Sequence, residues 1–164
     1  MPARTVLAMV TIRTAQHGDL DDLVLLESAL FAVDAVVHET LADSTWPDRE
    51  ARHDFEALFA NDRCVVFVAE DQSGTVVGHL VAYLATSSPT RLPVTYAVLR
   101  SMYVRNADQR HGIGSALVER FVAWARDRGC TEAHVDAYAA NHRAHTFYES
   151  LRFVPRSLSR VLEL

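Results

Sequence analysis

Apolar residues along this chain of 164 residues follow two spacings, one typical of helices and the other typical of strands. Apolar side chains recur every three or four positions from Leu20 to Phe31, and short apolar or alternating runs separate the segments of this kind. The predicted helices span residues 19–37, 48–60, 112–128 and 143–151, and the predicted strands span residues 10–13, 64–70, 75–84, 94–104, 134–138 and 153–164. The predicted order is therefore β-α-α-β-β-β-α-β-α-β.

Cap and turn residues stand at the ends of these elements. Asp19 is placed to cap the first helix, residues 71–74 to form a hairpin turn, and Gly129 to end the third helix. A run of adjacent strands followed by crossover helices predicts an α/β fold. We expect a mixed, mostly antiparallel central sheet with helices on both faces.

Length and composition favour a single domain over residues 1–164, because 49% of the residues are hydrophobic and the chain is long enough for a sizeable core. The net charge of −5 disfavours a nucleic-acid partner. No run of 18 apolar residues indicates a membrane span and residues 1–10 lack a signal-peptide pattern, so we expect a cytoplasmic protein. Cys64 and Cys130 are expected to be buried thiols rather than a disulfide or a nucleophile.

One glycine-bearing segment, residues 109–116 (QRHGIGSA), joins a predicted strand to a predicted helix. Unpaired backbone N–H groups and the helix dipole favour a phosphate at such a junction. Gly112 and Gly114 allow a diphosphate to approach the backbone closely, and Arg110 and His111 add donors. Two common phosphate-binding motifs do not match this segment. The Walker pattern requires a Lys followed by Ser or Thr after the second Gly, and these residues are absent. The dinucleotide fingerprint requires a third Gly at the position where this chain has Leu117.

The remaining pattern, Gln/Arg-x-x-Gly-x-Gly/Ala, resembles the acetyl-CoA-binding motif of the GCN5-related N-acetyltransferase (GNAT) family. A second match begins at Asn141, 27 residues after Gly114. It resembles the C-terminal pattern of the same family through Asn141, Ala144, Phe147, Tyr148 and Phe153. The usual glycine before the last Phe is replaced by Arg152, which would cost about 1 kcal/mol in the left-handed conformation unless the helix ends differently.

The resemblance implies a GNAT-like single domain with an acetyl-CoA-binding core at about residues 94–153, and direct transfer of the acetyl group to a primary amine in a ternary complex. It implies a diphosphate site on the backbone amides of residues 110–115 and a pantetheine arm paired with the fourth strand. The implied cofactor-binding residues are Met102, Tyr103, Val104, Gln109, Arg110, His111, Gly112, Ile113, Gly114, Ser115, Asn141 and Phe147. Tyr148 is the implied general acid for the leaving thiolate, while Asn141 either binds the pantetheine region or caps the fourth helix.

The general base is not evident from the sequence. Many family members use a carboxylate on the fourth strand, but residues 93–104 contain no Asp or Glu. Asp136 is the candidate base on the fifth strand. Asp34, Glu39, Tyr96 and His79 are alternatives, and water alone is another.

The expected acceptor is a small-molecule amine, which the acidic segment 34–50 would attract. The alternatives are a protein lysine or N-terminal amine, and a non-catalytic coenzyme A sensor. His142 and His145 have helix spacing for metal ligands but lack a third ligand, so we expect no metal. A homodimer that exchanges the final strand, residues 153–164, is a further possibility.

Overall fold

The computed structural model describes residues 10–37, 41–162 and 164. Its elements are β1 (Thr11–Thr14), α1 (Leu20–Val37), α2 (Arg52–Phe59), β2 (Cys64–Glu70), β3 (Val76–Thr86), β4 (Thr95–Val104), α3 (Ile113–Asp127), β5 (Glu132–Val135) and α4 (His142–Ser150). Short helical turns at His17–Asp19, Pro47–Ala51 and Asn106–Asp108 precede α1, α2 and α3. Each of the first nine predicted elements is therefore present in the described residues. Glu39, one of the alternative bases, lies outside them.

The five strands form one sheet in the order β1-β2-β3-β4-β5. Neighbouring strands are antiparallel from β1 to β4, and β5 pairs with β4 in parallel. The parallel pair follows from the crossover through α3, which returns the chain to the sheet in the same direction. The predicted mixed, mostly antiparallel sheet is confirmed.

Helices cover both faces of this sheet. Val66 and Val68 of β2 lie with Leu23 of α1 and Phe55 of α2, whereas the intervening Phe67 lies on the other face with α3. This alternation is the period of two that a strand imposes on its side chains. The side chains that α3 contributes to its core are Ile113, Leu117, Val118, Phe121, Trp124 and Ala125. The partly buried Phe147 and Tyr148 place α4 on the same face as α3.

The predicted final strand is wrong, since residues 153–162 form no strand. Pro155 removes a backbone donor that a sheet ladder needs. The apolar residues Val154, Leu158 and Val161 are spaced four and three apart rather than alternating, and all three are exposed. Residues 154–162 are all exposed, so nothing fixes a strand register.

The two cysteines are free and half-buried, not fully buried as expected. Burial raises the pKa of both the Cys64 and Cys130 thiols above the ordinary value, which disfavours the reactive thiolate. The expectation that neither forms a disulfide is confirmed.

Arg152 follows α4 with a φ of 68°, in the left-handed region that glycine adopts without strain. Gly129 after α3 has the same conformation with a φ of 74°, as predicted. Of the two alternatives for Arg152, the structure therefore shows the strained one.

We expect Arg152→Gly to be more stable than Arg152→Ala by about 1 kcal/mol in the free energy of unfolding. Both changes remove the side chain, but only glycine relieves the left-handed backbone. Chemical denaturation of the two variants measures the difference. Equal stability would show that the conformation carries no strain.

Candidate functional site

The site begins where β4 and β5 separate. Their parallel pairing runs from Tyr96 opposite Glu132 to Leu99 opposite Val135, and then ends. One residue later β4 contains a bulge, because Val81 of β3 pairs with Ser101 and Ala82 pairs with Leu99, so that Arg100 has no partner in this register. In the described part of the chain, residues 100–104 have no strand on the β5 side, and this edge can pair with an extended ligand.

A cavity of about 1390 Å³ occupies this gap. Its volume exceeds the roughly 300–1,000 Å³ of an ordinary small-molecule pocket, so there is room for two ligands. Of the fourteen predicted site residues, thirteen line it: Met102, Tyr103, Val104, Gln109, Arg110, Gly112, Ile113, Gly114, Ser115, Asp136, Asn141, Phe147 and Tyr148.

His111 is the predicted residue that does not line the cavity. It is exposed, and its Nδ1 lies 3.2 Å from the Asp108 carbonyl oxygen. The structure therefore directs its imidazole to the loop rather than to the cavity.

The loop before α3 is shaped by two left-handed residues, Arg110 with a φ of 65° and Gly112 with a φ of 82°. α3 begins at Ile113, so its first backbone N–H groups lie at the cavity, where an anion is favoured. A Cβ on Gly114 would lie 3.3 Å from Phe147 Cζ. The second motif glycine therefore also permits close packing of α3 against α4.

Gln109 braces this loop. Its Nε2 donates to the Val104 carbonyl oxygen at 2.8 Å and to Asn106 Oδ1 at 3.1 Å, and its Oε1 accepts from Arg143 Nη2 at 2.7 Å. The side chain thus joins the end of β4 to α4. Arg143 and the exposed Arg110, both lining the cavity, supply positive charge beside the helix N-terminus.

Tyr148 lies on α4 between two aromatic rings. Its ring centroid is 5.1 Å from that of Phe147 and 5.6 Å from that of Phe153. Burial raises the pKa of the phenol to about 12, so Tyr148 keeps its proton at neutral pH. A protonated phenol at a cavity wall can serve as an acid and not as a base.

Asn141 caps α4, with Oδ1 accepting the Ala144 N–H at 3.0 Å. Of the two roles left open for Asn141, the helix cap is therefore present. The residue also lines the cavity, so a second contact from the rest of its amide is compatible with the cap.

The predicted base candidates lie in different places. Asp136 lies one residue beyond β5 rather than on it, with an exposed carboxylate at the cavity. Asp34 of α1 also lines the cavity. Tyr96 stacks on His134 with ring centroids 4.3 Å apart and is not part of the lining.

Sequence reasoning named His79 as an alternative base but missed Glu27 and the buried pair that the two residues form beside the cavity. Glu27 of α1 is 2% exposed and lines the cavity, and His79 of β3 is 0% exposed. His79 Nε2 lies 2.7 Å from Glu27 Oε2. The available signal was the position of Glu27 in the apolar spacing of α1, where a charged residue is unexpected.

Phe31 and Trp46 form the wall of the cavity on the α1 side, stacked with ring centroids 5.3 Å apart. Within the described residues, no three His, Cys, Asp or Glu side chains are grouped as metal ligands. None of the described helices is long and apolar enough to cross a membrane.

Comparison with known proteins identifies the family. A model described as the acetyltransferase (GNAT) family matches residues 33–153. An aminoglycoside N(6')-acetyltransferase type 1 from Acinetobacter genomosp. 13 is 27% identical over 113 residues, covering 66% of this chain and 76% of the relative. A thialysine N-epsilon-acetyltransferase from Bos taurus is 27% identical over 151 residues, covering 88% of this chain and 84% of the relative.

Among solved structures, AAC(6')-Iy in complex with the bisubstrate analogue CoA-S-monomethyl-acetylneamine superimposes with a TM-score of 0.72 at 19% identity, covering 94% of this chain and 96% of that one. This likeness shows that the two share a fold. The family model matches well over half of the chain, and the chain therefore belongs to the GNAT acetyltransferase family, whose members transfer an acetyl group from acetyl-CoA to amine substrates.

Proposed function

We propose that this enzyme moves an acetyl group from acetyl-CoA directly to a primary amine of a small molecule, with both substrates bound at once. One observation carries the proposal: a single cavity of about 1390 Å³ extends from the loop before α3, past Tyr148, to the Phe31 and Trp46 wall. A donor and an acceptor fit end to end in such a cavity.

The donor end is the loop before α3 and the free edge of β4. The diphosphate of coenzyme A would accept hydrogen bonds from backbone N–H groups of residues 110–115, near the positive charge of Arg110 and Arg143. The peptide-like pantetheine arm would pair with backbone groups of Met102 and Val104, since β5 does not pair with this part of β4. A backbone N–H in the same stretch would polarise the thioester carbonyl.

Tyr148 would protonate the leaving group. The amine nitrogen forms a bond to the carbonyl carbon, the carbon–sulfur bond breaks, and the thiolate takes the phenolic proton of Tyr148, which solvent then replaces. The raised pKa of about 12 keeps that proton in place until the thiolate forms. The nitrogen must lose a proton in the same sequence, and Asp136 is one carboxylate at the cavity that could accept it.

The acceptor end favours a small cationic amine. Glu27 and Asp34 line it with carboxylates, and the Phe31 and Trp46 rings offer faces to the attached carbon skeleton. The aminoglycoside and thialysine acetyltransferases among its relatives are named for small amine substrates, which supports the same class here.

Titration calorimetry with acetyl-CoA, combined with a thiol-release assay over a panel of amines, tests the proposal. We expect micromolar binding and turnover on at least one class of small amines. Turnover on lysine-containing peptides alone would favour a protein acceptor. Binding without any turnover would favour a sensor.

We expect Tyr148→Phe to lower kcat by about 100-fold, because general acid catalysis contributes roughly 10²–10⁴-fold. The dissociation constant of acetyl-CoA should stay within about twofold, since the ring still packs between Phe147 and Phe153. Tyr83→Phe, on β3 outside the cavity lining, is the matched control and should change neither quantity. Unchanged turnover in Tyr148→Phe would remove the general acid from the mechanism.

The raised pKa of Tyr148 also predicts a pH dependence. A phenol with a pKa of about 12 stays protonated from neutral pH to about pH 10, and loses its proton only as the pH approaches 12. The ratio of wild-type kcat to Tyr148→Phe kcat should therefore stay constant between about pH 7 and 10. A ratio that falls toward one near pH 9 would contradict a buried, protonated Tyr148.

A further inference from the structure

We propose that Glu27, oriented by His79, is the general base that takes the proton from the acceptor amine. The inference rests on the proposed function and names the residue that completes it. β4 offers no carboxylate at this site, and a buried carboxylate on α1 lines the same cavity beside the bulged segment of β4.

The position of Glu27 fits this role. Its Oε2 lies 3.4 Å from Ser101 Oγ, and Ser101 directly precedes Met102, whose backbone is proposed to hold the donor. The carboxylate is therefore next to the segment where the thioester would lie. Asp136 is exposed at the opposite edge of the gap, beyond the end of β5.

Hydrogen-bond accounting indicates how His79 orients the carboxylate. His79 Nδ1 is buried and has no hydrogen-bond partner among the described residues. A buried N–H without a hydrogen-bond acceptor costs more free energy than a buried lone pair without a donor, so Nδ1 is favoured to carry the lone pair rather than the proton. The proton is then on Nε2, which donates to Glu27 Oε2. Phe55 packs edge-on against the imidazole, with ring centroids 6.2 Å apart, and fixes its plane.

This arrangement leaves Glu27 without a cation in hydrogen-bond contact among the described residues. Arg100 lies near enough to interact electrostatically with Glu27, but its guanidinium is hydrogen-bonded to Asp54 Oδ1 at 3.3 Å and Oδ2 at 2.5 Å. A buried carboxylate that no cation contacts through a hydrogen bond is costly in free energy. A substrate ammonium at the cavity floor would offset that cost, and so the pair is suited to draw in a cationic amine.

The chemistry balances with Glu27 in this place. An alkylammonium, whose ordinary pKa is near 10, gives a proton to the carboxylate, and the neutral amine attacks the thioester carbonyl. After the carbon–nitrogen bond forms, the nitrogen still carries one proton more than the amide, and this proton passes to solvent as the carbon–sulfur bond breaks. Tyr148 protonates the thiolate and regains a proton from solvent, and Glu27 later releases its own proton to solvent. The base and the acid lie on opposite faces of the sheet, because Glu27 is on α1 and Tyr148 packs with the core under α3.

The test compares Glu27→Gln with Asp136→Asn and Glu119→Gln. Glutamine keeps an oxygen that can accept from His79, so the fold should be retained. We expect Glu27→Gln to lower kcat/KM for an alkylamine by about 100-fold or more, with the acetyl-CoA dissociation constant unchanged. Glu119→Gln makes the same change on the exposed side of α3 and should have no effect.

The pKa of the acceptor supplies a readout that a structural role would not move. An amine that is already neutral at the assay pH, such as a fluorinated alkylamine, needs no base to remove a proton before it attacks the thioester. With that acceptor, the decrease in kcat/KM caused by Glu27→Gln should therefore be only a few-fold. A loss of equal size for both amines would overturn the assignment of Glu27 as the base.

His79 is tested as a positioning residue by a matched pair. His79→Gln keeps a donor near the place of Nε2, whereas His79→Leu removes it. We expect His79→Leu to lower kcat by about tenfold and to show the same dependence on amine pKa, and His79→Gln to restore most of the activity. Equal activity of the two variants would remove His79 from the mechanism.

The outcomes separate this inference from the proposed function. Turnover that survives Glu27→Gln but is lost in Asp136→Asn would overturn Glu27 as the base and leave the acetyltransferase proposal standing. Failure of the wild-type protein to turn over any amine, despite binding acetyl-CoA, would overturn the proposed function and this inference together.

Discussion

The early end of the pairing between β4 and β5, at Leu99 and Val135, is the constraint on which the site depends. Two parallel strands that continued together would satisfy the backbone groups of residues 100–104 and would close the gap. The bulge at Arg100 changes the local twist of β4 at the same point and so helps the strands diverge. The cavity is therefore a consequence of sheet geometry, and the loops around it are fitted to that geometry.

Separated strands leave polar backbone groups without ladder partners, and such groups must be satisfied in another way. The structure satisfies part of this demand with side chains. Gln109 donates to the Val104 carbonyl oxygen at the end of β4. Asn141 does the same for the start of α4, where it accepts the Ala144 N–H that the helix leaves unpaired. The remaining edge of β4 is left for water or a ligand. Several residues of the two motifs thus build the frame, and the backbone they position is what a donor would contact.

The sequence could predict features that have a local cause, and it could not predict features that depend on contacts across the sheet. Gly112, Gly129 and the Asn141 cap have local causes, namely a left-handed turn or an orphan N–H, and they stand where the pattern placed them. The end of β5 at Val135 and the absence of a strand in residues 153–162 depend on which neighbours are present across the sheet, and no local pattern encodes those neighbours. Most residues of the two motifs lie around one cavity, because the motifs belong to neighbouring strand, loop and helix segments.

Glu27 and His79 are the clearest case of a feature beyond local prediction. They are separated by 52 residues and belong to different elements, and only the packing of α1 on β3 brings them within 2.7 Å. Each residue taken alone is ambiguous, since an acidic residue in a helix and a histidine in an apolar strand are both common. Together they form a buried polar pair that an apolar core would not need, which is an argument for function rather than for stability.

The two walls of the cavity differ in polarity, and this difference suits the reaction. Around Tyr148 the surroundings are aromatic, and burial raises the pKa of the phenol, which keeps the proton that the proposed general acid needs. Around Glu27 a buried carboxylate favours a cation, and the low dielectric strengthens that attraction. Acetylation converts an ammonium into a neutral amide, so the product lacks the charge that Glu27 attracts. On this assignment the group that selects the acceptor also favours release of the product, because binding and release depend on the same charge.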